Sequence, residues 1–308
     1  MHAFEPALHD HIDPSQETSQ SDPADDANVG TGIEAVEVFN PGGKAPVLIL
    51  SDHSGCDIPA YLDDLGLSLE ERRRHIAWDI GTTDMTRRLA SRLDATAVLN
   101  HVSRLVIDPN RDPYSATSIP AVADGTFVPG NQDLSLEEQQ RRIRISFIPY
   151  HRAISKEIAR LRREVGIPVI IAMHSFTPEM QREWRPWEAG VLFGEDDRLA
   201  MPVLERLRTE TSFCIGANQP YSGNHPDSYS LQFHALRPGF PNVAFEVRQD
   251  QIATKSDAEA WADRLARVLQ PSLSDPTLYR LWGSWRRLVD VDYAAVTDAR
   301  GRRRIPAG

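Results

Sequence analysis

The sequence has few cysteines and no long apolar run. Cys56 and Cys214 are the two cysteines among 308 residues, too few for a disulfide framework or a cysteine-rich zinc module. No stretch approaches the roughly 20 apolar residues of a membrane-spanning helix, and the N-terminus lacks the basic-then-apolar layout of a signal peptide. We therefore expect a cytoplasmic protein that does not associate with a membrane.

Excess positive charge is also lacking. The formal net charge is −10, which argues against a nucleic-acid-binding protein, because such proteins need a basic face to neutralise phosphate. The hydrophobic fraction of 41% and the charged fraction of 25% are ordinary for a globular protein. An anionic ligand would have to be held by local arginines against this unfavourable overall charge.

Three regions follow from the composition along the chain. Residues 1–34 are rich in Asp, Glu, Ser, Gln and Pro with almost no apolar periodicity, and we expect a flexible acidic tail. In residues 35–290, apolar runs alternate with helical patterns, which predicts a single α/β domain. Residues 291–308 include the basic stretch RGRRR, which predicts a short basic tail.

Apolar runs without alternation predict strands that are covered on both faces. These runs are residues 46–51, 96–99, 102–107, 168–173, 212–216 and 242–248. Helix starts are predicted where Glu lies three residues after Ser, at 68–71, 135–138 and 256–259. Pro149 should kink or break the second of these helices, and Gly166 should end it. The predicted fold is α/β, with a mixed, mostly parallel sheet flanked by helices.

Two of the predicted strands run directly into a histidine. PVLILSDHSG leads to His53, and IPVIIAMHSF leads to His174. Open α/β sheets bind ligands outside the carboxyl ends of their strands, and neutral imidazole is a common Zn²⁺ ligand. The two histidines therefore predict a shared metal site. The alternative for His53 is that it merely closes a turn.

Two further segments carry charged residues at or near strands. In VAFEVR, burial would raise the pKa of Glu246, which suits a general base near neutral pH; a structural ion pair with Arg248 is the alternative. In SRLVIDPNRDP, Arg104 and Arg111 could hold a carboxylate or stabilise an oxyanion. The alternative there is that both arginines make structural pairs with the neighbouring aspartates.

Eight segments occur in the order SDHSG, HIAWDIG, SRLVIDPNRDP, PYH, MHSFTP, RPW, NQPYSG and FEVRQD. Together they resemble the N-formylglutamate amidohydrolase family over about residues 44–255. The resemblance implies an α/β fold similar to that of the zinc carboxypeptidases and aspartoacylase. It also implies zinc-dependent hydrolysis of N-formyl-L-glutamate to L-glutamate and formate, the final step of one histidine-degradation route.

The resemblance also assigns catalytic roles. The strand AFEVRQD looks like the strand that bears the general base, which assigns that role to Glu246. NRD looks like a pair that grips the substrate carboxylate, which assigns Asn110 and Arg111. Arg104 is then the candidate for polarising the scissile carbonyl.

The metal implied by the resemblance is Zn²⁺, held by His53, His174 and one further ligand. Carboxypeptidase-like sites use His-x-x-Glu, but Cys56 lies three residues after His53, and Asp57 follows it. Asp79 in WDIG occupies an acidic position of the family pattern and is our choice, with Asp57 and Cys56 as alternatives. Two histidines and one carboxylate would fit the known zinc ligands.

The remaining candidates would contact a small anionic N-acyl amino acid. NQPYSG looks like a substrate-closing loop, which suggests Asn218 and Tyr221. Arg185 in WRPW could meet a second substrate carboxylate, or it could pack between Trp184 and Trp187. Two other functions stay open: an amidohydrolase for another N-acyl amino acid or short peptide, and a non-catalytic carboxylate-binding protein. No feature of the sequence predicts an oligomeric state.

Overall fold

The computed structural model describes residues 32–224 and 228–283. The predicted acidic tail, apart from residues 32–34, and the predicted basic tail lie outside the described residues. The strands are β1 (Val36–Phe39), β2 (Val47–Ser51), β3 (Thr96–Asn100), β4 (Val122–Ala123), β5 (Thr126–Phe127), β6 (Val169–Phe176), β7 (Glu179–Met180), β8 (Glu183–Trp184), β9 (Ala189–Leu192), β10 (Ile215–Ala217) and β11 (Asn242–Arg248). The helices are α1 (Leu69–Arg72), α2 (Thr82–Leu93), α3 (Leu136–Arg142), α4 (Ile148–Glu164), α5 (Ala200–Glu210), α6 (Tyr229–Leu231) and α7 (Lys255–Leu273).

Seven of these strands form one sheet in the order β1-β3-β2-β6-β11-β9-β10. The neighbours β3, β2, β6 and β11 run parallel to one another, and β9 is parallel to β10. Two pairings are antiparallel, β1 with β3 and β9 with β11. The predicted mixed, mostly parallel sheet is therefore confirmed.

Helices cover both faces of this sheet. In β2, Val47 and Ile49 pack with residues of α2, α5 and α7, whereas Leu48 and Leu50 pack with residues of α4 on the other face. All five residues of β2 are buried, as expected for a central strand covered on two sides. Polar side chains can gather only where such strands end.

The apolar run at 102–107 does not form the predicted strand. The preceding strand β3 ends at Asn100, and Val102 makes an isolated bridge with Asp57. The next apolar residues pack in a separate cluster that includes Ile143. The hydrophobicity of this run reflects burial in that cluster, which periodicity alone does not distinguish from burial in a sheet.

The sequence patterns did not predict β1 or β9, and they placed β10 at 212–216 rather than at Ile215–Ala217. The four residues of β1 are only partly buried because β1 lies at the edge of the sheet. The short strand β9 contains Gly190, where a Cβ atom would collide with the carbonyl oxygen of Gln219. A glycine at this point lets the loop after β10 lie against β9.

Two of the three predicted helix starts are confirmed. Ser68 and Glu71 form a reciprocal capping box at the start of α1, and the Ser135 side chain accepts from the Glu138 amide at the start of α3. The third prediction is wrong, because α7 is capped by Thr254, whose side chain accepts from the Asp257 amide. Thr254 and Asp257 have the same three-residue spacing as the predicted pair, so the local pattern was ambiguous.

The predicted interruption by Pro149 takes the form of a π-helical turn. Residues Ile143–Phe147 form this turn between α3 and α4, and Pro149 lies in the first turn of α4. A widened turn accommodates a residue that lacks an amide hydrogen. Gly166 follows the end of α4 with φ +94°, as predicted. No helix in the described ranges is both long enough and apolar enough to cross a membrane.

Candidate active site

Three buried side chains meet where the central strands end: His53 after β2, Asp79 before α2, and His174 near the end of β6. Asp79 Oδ2 lies 3.3 Å from His53 Nδ1 and 3.0 Å from His174 Nδ1. One potential ligand atom from each residue lies within 4.8 Å of the other two. The backbone amide of Asp79 donates to the carbonyl oxygen of His53 at 2.9 Å, which fixes the two residues relative to one another.

The carboxylate and the two imidazoles of this group shift one another's pKa values. Burial opposes ionisation of Asp79, but His53 and His174 outweigh it and hold the pKa of the carboxyl well below its usual range. Burial also opposes protonation of His174, but the carboxylates of Asp52 and Asp79 beside its ring outweigh it and raise its pKa well above the ordinary value. The group therefore favours a cation, either a proton or a metal ion.

The donor set fits a divalent metal. Two imidazoles and one carboxylate match the ligands of many catalytic zinc sites. His53 Nε2 lies 2.8 Å from Asp108 Oδ1, so the nitrogen on the far side of the ring can donate to a carboxylate while Nδ1 faces the group. Such outer carboxylates orient metal-binding histidines. A buried His53, Asp79 and His174 group in this chain could thus bind a metal.

The alternative third ligands lie in other surroundings. Cys56 packs against the separate apolar cluster that includes Ile143, and burial raises the pKa of its thiol. Asp57 forms a backbone bridge with Val102. Asp79, in contrast, lies directly between the two histidines, and it is therefore the candidate for the third ligand.

Glu246 lies beside His174 because β11 and β6 are parallel and pair these two positions directly. It is 7% exposed, and its Oε2 has no hydrogen-bond partner. Burial, aided by the negative charge of Asp79, raises the pKa of Glu246 to about 7. Arg248, two residues along the strand, pairs with Asp250 at 2.7 Å rather than with Glu246. Glu246 is thus a buried carboxyl without a structural partner for one oxygen.

Arg104 reaches the group through two aspartates. Its Nε and Nη2 donate to Asp108 Oδ2 at 3.1 Å and 2.6 Å, and its Nη1 lies 3.6 Å from Asp79 Oδ1. Arg111 Nε lies 3.8 Å from the same Asp108 oxygen. The alternative structural pair of Arg104 with Asp108 is therefore present, and it holds the guanidinium at the candidate metal centre.

A cavity of about 410 Å³ opens beside this centre. The predicted site residues that line it are His53, Asp79, Arg104, Asn110, Arg111, His174, Tyr221 and Glu246. The side-chain oxygen of Asn110 accepts from the backbone amide of Ser230 at 3.0 Å, so Asn110 also fixes the loop that follows β3. The structure thus gathers eight of the ten predicted site residues around one space.

The other two predicted residues lie behind the cavity wall. Arg185 Nη1 donates to the Tyr221 hydroxyl at 3.0 Å, and Trp184 stacks with Arg248 instead of with Arg185. Asn218 Oδ1 accepts from the backbone amides of Phe193 and Gly223, both at 3.0 Å. Asn218 therefore shapes the loop, and Arg185 faces the cavity through Tyr221.

Sequence reasoning assigned no functional role to four other ionisable residues of the cavity: Asp52, His75, Asp108 and Asp124. Asp52 and Asp108 lie within the motifs that carry His53 and Asn110. Each follows an apolar run, and this position was the available signal that they could belong to the site. His75 Nε2 lies 3.2 Å from Asp124 Oδ2. The two residues are far apart in sequence, so no local pattern connects them.

The fold is that of an α/β protein, and its strand ends carry a buried His-Asp-His group with a carboxyl beside it. This is a candidate metal centre of the kind that metal-dependent hydrolases use. Residues 45–253 match the family model described as N-formylglutamate amidohydrolase. Because the match spans more than half of the chain, the chain belongs to the N-formylglutamate amidohydrolase family. The family predicted from the eight segments is confirmed.

Relatives agree with this membership. The N-formylglutamate deformylase of Pseudomonas aeruginosa is 31% identical over 144 residues, which are 43% of this chain and 53% of that protein. The chain thus spans about half the length of this curated relative in the match. A gene product of Agrobacterium tumefaciens has a similar crystal structure, with a TM-score of 0.75 and 34% identity over 79% of this chain and 96% of that one.

A second solved structure supports the fold alone. The N-formylglutamate amidohydrolase of Ralstonia eutropha matches with a TM-score of 0.56 and 20% identity, over 78% of this chain and 100% of that one. A similar overall fold therefore occurs in a protein whose sequence has diverged widely from this one.

Proposed function

We propose that this protein is a zinc-dependent amide hydrolase that cleaves N-formyl-L-glutamate to L-glutamate and formate. The observation that carries the proposal is the buried group of His53, Asp79 and His174 with Glu246 beside it, at the wall of a cavity. Family membership and the names of the relatives supply the substrate.

His53, Asp79 and His174 would hold the metal. When bound there, Zn²⁺ supplies Lewis acidity that polarises a carbonyl and makes water a stronger nucleophile. Glu246 would take the proton of the attacking water, a role that suits its raised pKa of about 7. It would then return a proton to the amine that leaves.

Arg104 would stabilise the negative charge that develops on the formyl oxygen. Its guanidinium is already oriented by Asp108 and Asp79, so little reorganisation is needed at the moment of reaction. Two charged partners reduce its net field, but Arg104 still lines the cavity in which the substrate would lie. Fixed donors of this kind commonly make the largest single contribution to catalysis.

Asn110 and Arg111 would hold the α-carboxylate of the substrate. A second carboxylate would meet the Tyr221 hydroxyl, which can donate outward while its oxygen accepts from Arg185 behind it. Asn218 would act indirectly, through the two backbone amides that it holds in the same loop. This arrangement selects a dicarboxylic N-formyl amino acid.

The test is formate release from N-formyl-L-glutamate by purified protein whose zinc content has been measured. We expect about one zinc per chain, activity that a chelator removes, and recovery on addition of Zn²⁺. N-acetyl-L-glutamate and N-formyl-L-leucine serve as matched comparison substrates that alter the acyl group or the second carboxylate. Faster cleavage of either would replace the named substrate, and a zinc-loaded, folded protein that cleaves none of them would contradict the proposed hydrolase.

A further inference from the structure

Asp52 is a buried carboxylate of the cavity wall that the proposed reaction does not use. It is 1% exposed. Its Oδ1 accepts from the Ser230 hydroxyl at 2.6 Å. Its Oδ2 has no hydrogen-bond partner and lies 3.4 Å from His174 Nε2. A buried carboxylate oxygen that makes no hydrogen bond is costly, so its position calls for a reason.

The orientation of His174 supplies that reason. Its Nδ1 faces Asp79 Oδ2 at 3.0 Å, on the side of the candidate metal centre, and its Nε2 faces Asp52. A neutral histidine that offers Nδ1 to a metal carries its proton on Nε2. The Nε2 proton then lies on the side of the ring that faces Asp52 Oδ2, whose distance from Nε2 is 3.4 Å.

The Asp52 carboxylate is held in place from two sides. Ser230 binds its Oδ1, and the Ser230 backbone amide donates to Asn110 Oδ1 at 3.0 Å. The backbone carbonyl of Asp52 accepts from Asn100 Nδ2 at 3.0 Å. These contacts fix the second oxygen at the edge of the His174 ring, as a rigid orienting group requires.

We propose that Asp52 is a positioning residue for the metal centre: it sets the tautomer and the ring orientation of His174 and so strengthens metal binding. The proposal rests on the proposed function only in that His53, Asp79 and His174 bind a metal. Both histidines would then be oriented by an outer carboxylate, His53 by Asp108 and His174 by Asp52. In both carboxylates the second oxygen has its own donor: Asp108 Oδ2 accepts from Arg104, and Asp52 Oδ1 accepts from the Ser230 hydroxyl.

The test is the Zn²⁺ affinity of metal-free protein, measured by competition with a chromophoric chelator and without any substrate. Asp52→Asn keeps the size of the side chain and an oxygen for Ser230 but can place an amide opposite His174. We expect the affinity to fall about 10- to 100-fold, the usual effect of losing an orienting partner. Ser230→Ala should lower it less, because the carboxylate itself remains.

Thr86→Val is the matched control, since the Thr86 hydroxyl is also buried without a partner and lies on α2, and Thr86 is not among the residues that line the cavity. Its Zn²⁺ affinity should equal that of the unaltered protein. Unchanged affinity in folded Asp52→Asn protein would overturn the proposal, and so would an unaltered protein that binds no Zn²⁺. Loss of affinity in Asp52→Asn would support it even if N-formyl-L-glutamate is not cleaved, which separates this inference from the proposed substrate.

A second measurement covers the case in which Asp52→Asn does not fold. In zinc-loaded unaltered protein with ¹⁵N-labelled histidine, the His174 ring should carry its proton on Nε2, with a slowly exchanging, hydrogen-bonded signal. Ser230→Ala should shift that signal, because Asp52 then regains freedom to move. A His174 ring protonated on Nδ1 would overturn the proposal.

Discussion

The two faces of strands β6 and β11 have opposite chemistry. Facing α2, α5 and α7, Ile171 and Phe245 belong to a continuous apolar core. Facing α4, the same strands begin with apolar residues and end in His174 and Glu246, which are buried beside Asp79. Side chains alternate along a strand, so adjacent residues can serve stability and chemistry independently. One sheet thus provides a rigid apolar support for a charged centre.

The two faces also differ in the sign of their contribution to stability. Burial of apolar surface stabilises the fold by about 25 cal/mol per Å², whereas burial of a carboxyl without a full set of partners opposes it. Glu246 has a buried oxygen without a partner, and Ile171 is fully buried among apolar side chains. Substitutions on the two faces should therefore separate activity from stability.

The largest effect on activity is expected for Glu246→Gln. Removing a general base typically lowers turnover by about 10²- to 10⁴-fold, while the zinc content should stay the same because Glu246 is not among the three proposed ligands. The measurement is kcat for formate release with elemental analysis of the same sample. Near-normal turnover would remove Glu246 from the role of base.

The largest effect on stability is expected for Ile171→Ala on the apolar face. Deleting a buried isoleucine side chain should lower the free energy of unfolding by about 2–5 kcal/mol. Urea-induced unfolding measures this change, and KM for N-formyl-L-glutamate should be unaltered in the protein that remains folded. A raised KM with unchanged stability would mean that the two faces are not independent.

The pH dependence of stability gives a smaller, signed comparison in metal-free protein. The pKa of Glu246 is raised from its ordinary value of 4.5 to about 7 in the fold, so the folded state binds the proton more tightly than the unfolded state. This contribution is fully present below about pH 4.5 and is lost as the pH rises through about 7. The unaltered protein should therefore lose stability as the pH rises, whereas Glu246→Gln lacks this loss. The free energy of unfolding of the variant, relative to that of the unaltered protein, should be larger at pH 8 than at pH 5, measured by urea unfolding at both pH values. An equal difference at both pH values would contradict the raised pKa.

The smallest effect is expected behind the cavity wall. Arg185→Gln should raise KM for N-formyl-L-glutamate about 10-fold, with little change in kcat. A charge-assisted hydrogen bond contributes about 1.5–3 kcal/mol, and we expect the lower end of that range because Arg185 acts through Tyr221. Arg182→Gln is the matched control, since Arg182 is an exposed arginine in the turn between β7 and β8, three residues before Arg185. Equal KM values for the two variants would exclude Arg185 from substrate recognition.

Much of the fold could be predicted because central strands have a strong local signal. The runs around Ile49 and Ile171 are uniformly apolar, and both became buried parallel strands. The edge strand β1 and the short strand β9 carry weaker patterns and were missed. The run at 102–107 was misread because a residue buried in a side cluster and one buried in a sheet have the same hydrophobicity.

The sequence by itself determined the chemical groups of the candidate site. His53, His174 and Glu246 could be singled out because each is a polar residue that follows or interrupts an apolar strand, and such exceptions are visible locally. Tertiary structure alone placed Asp79 between the histidines, put Asp108 and Asp52 behind them, and set Arg185 behind Tyr221. These contacts join segments that are distant in the chain, and they depend on strand order and register, which local spacing does not encode.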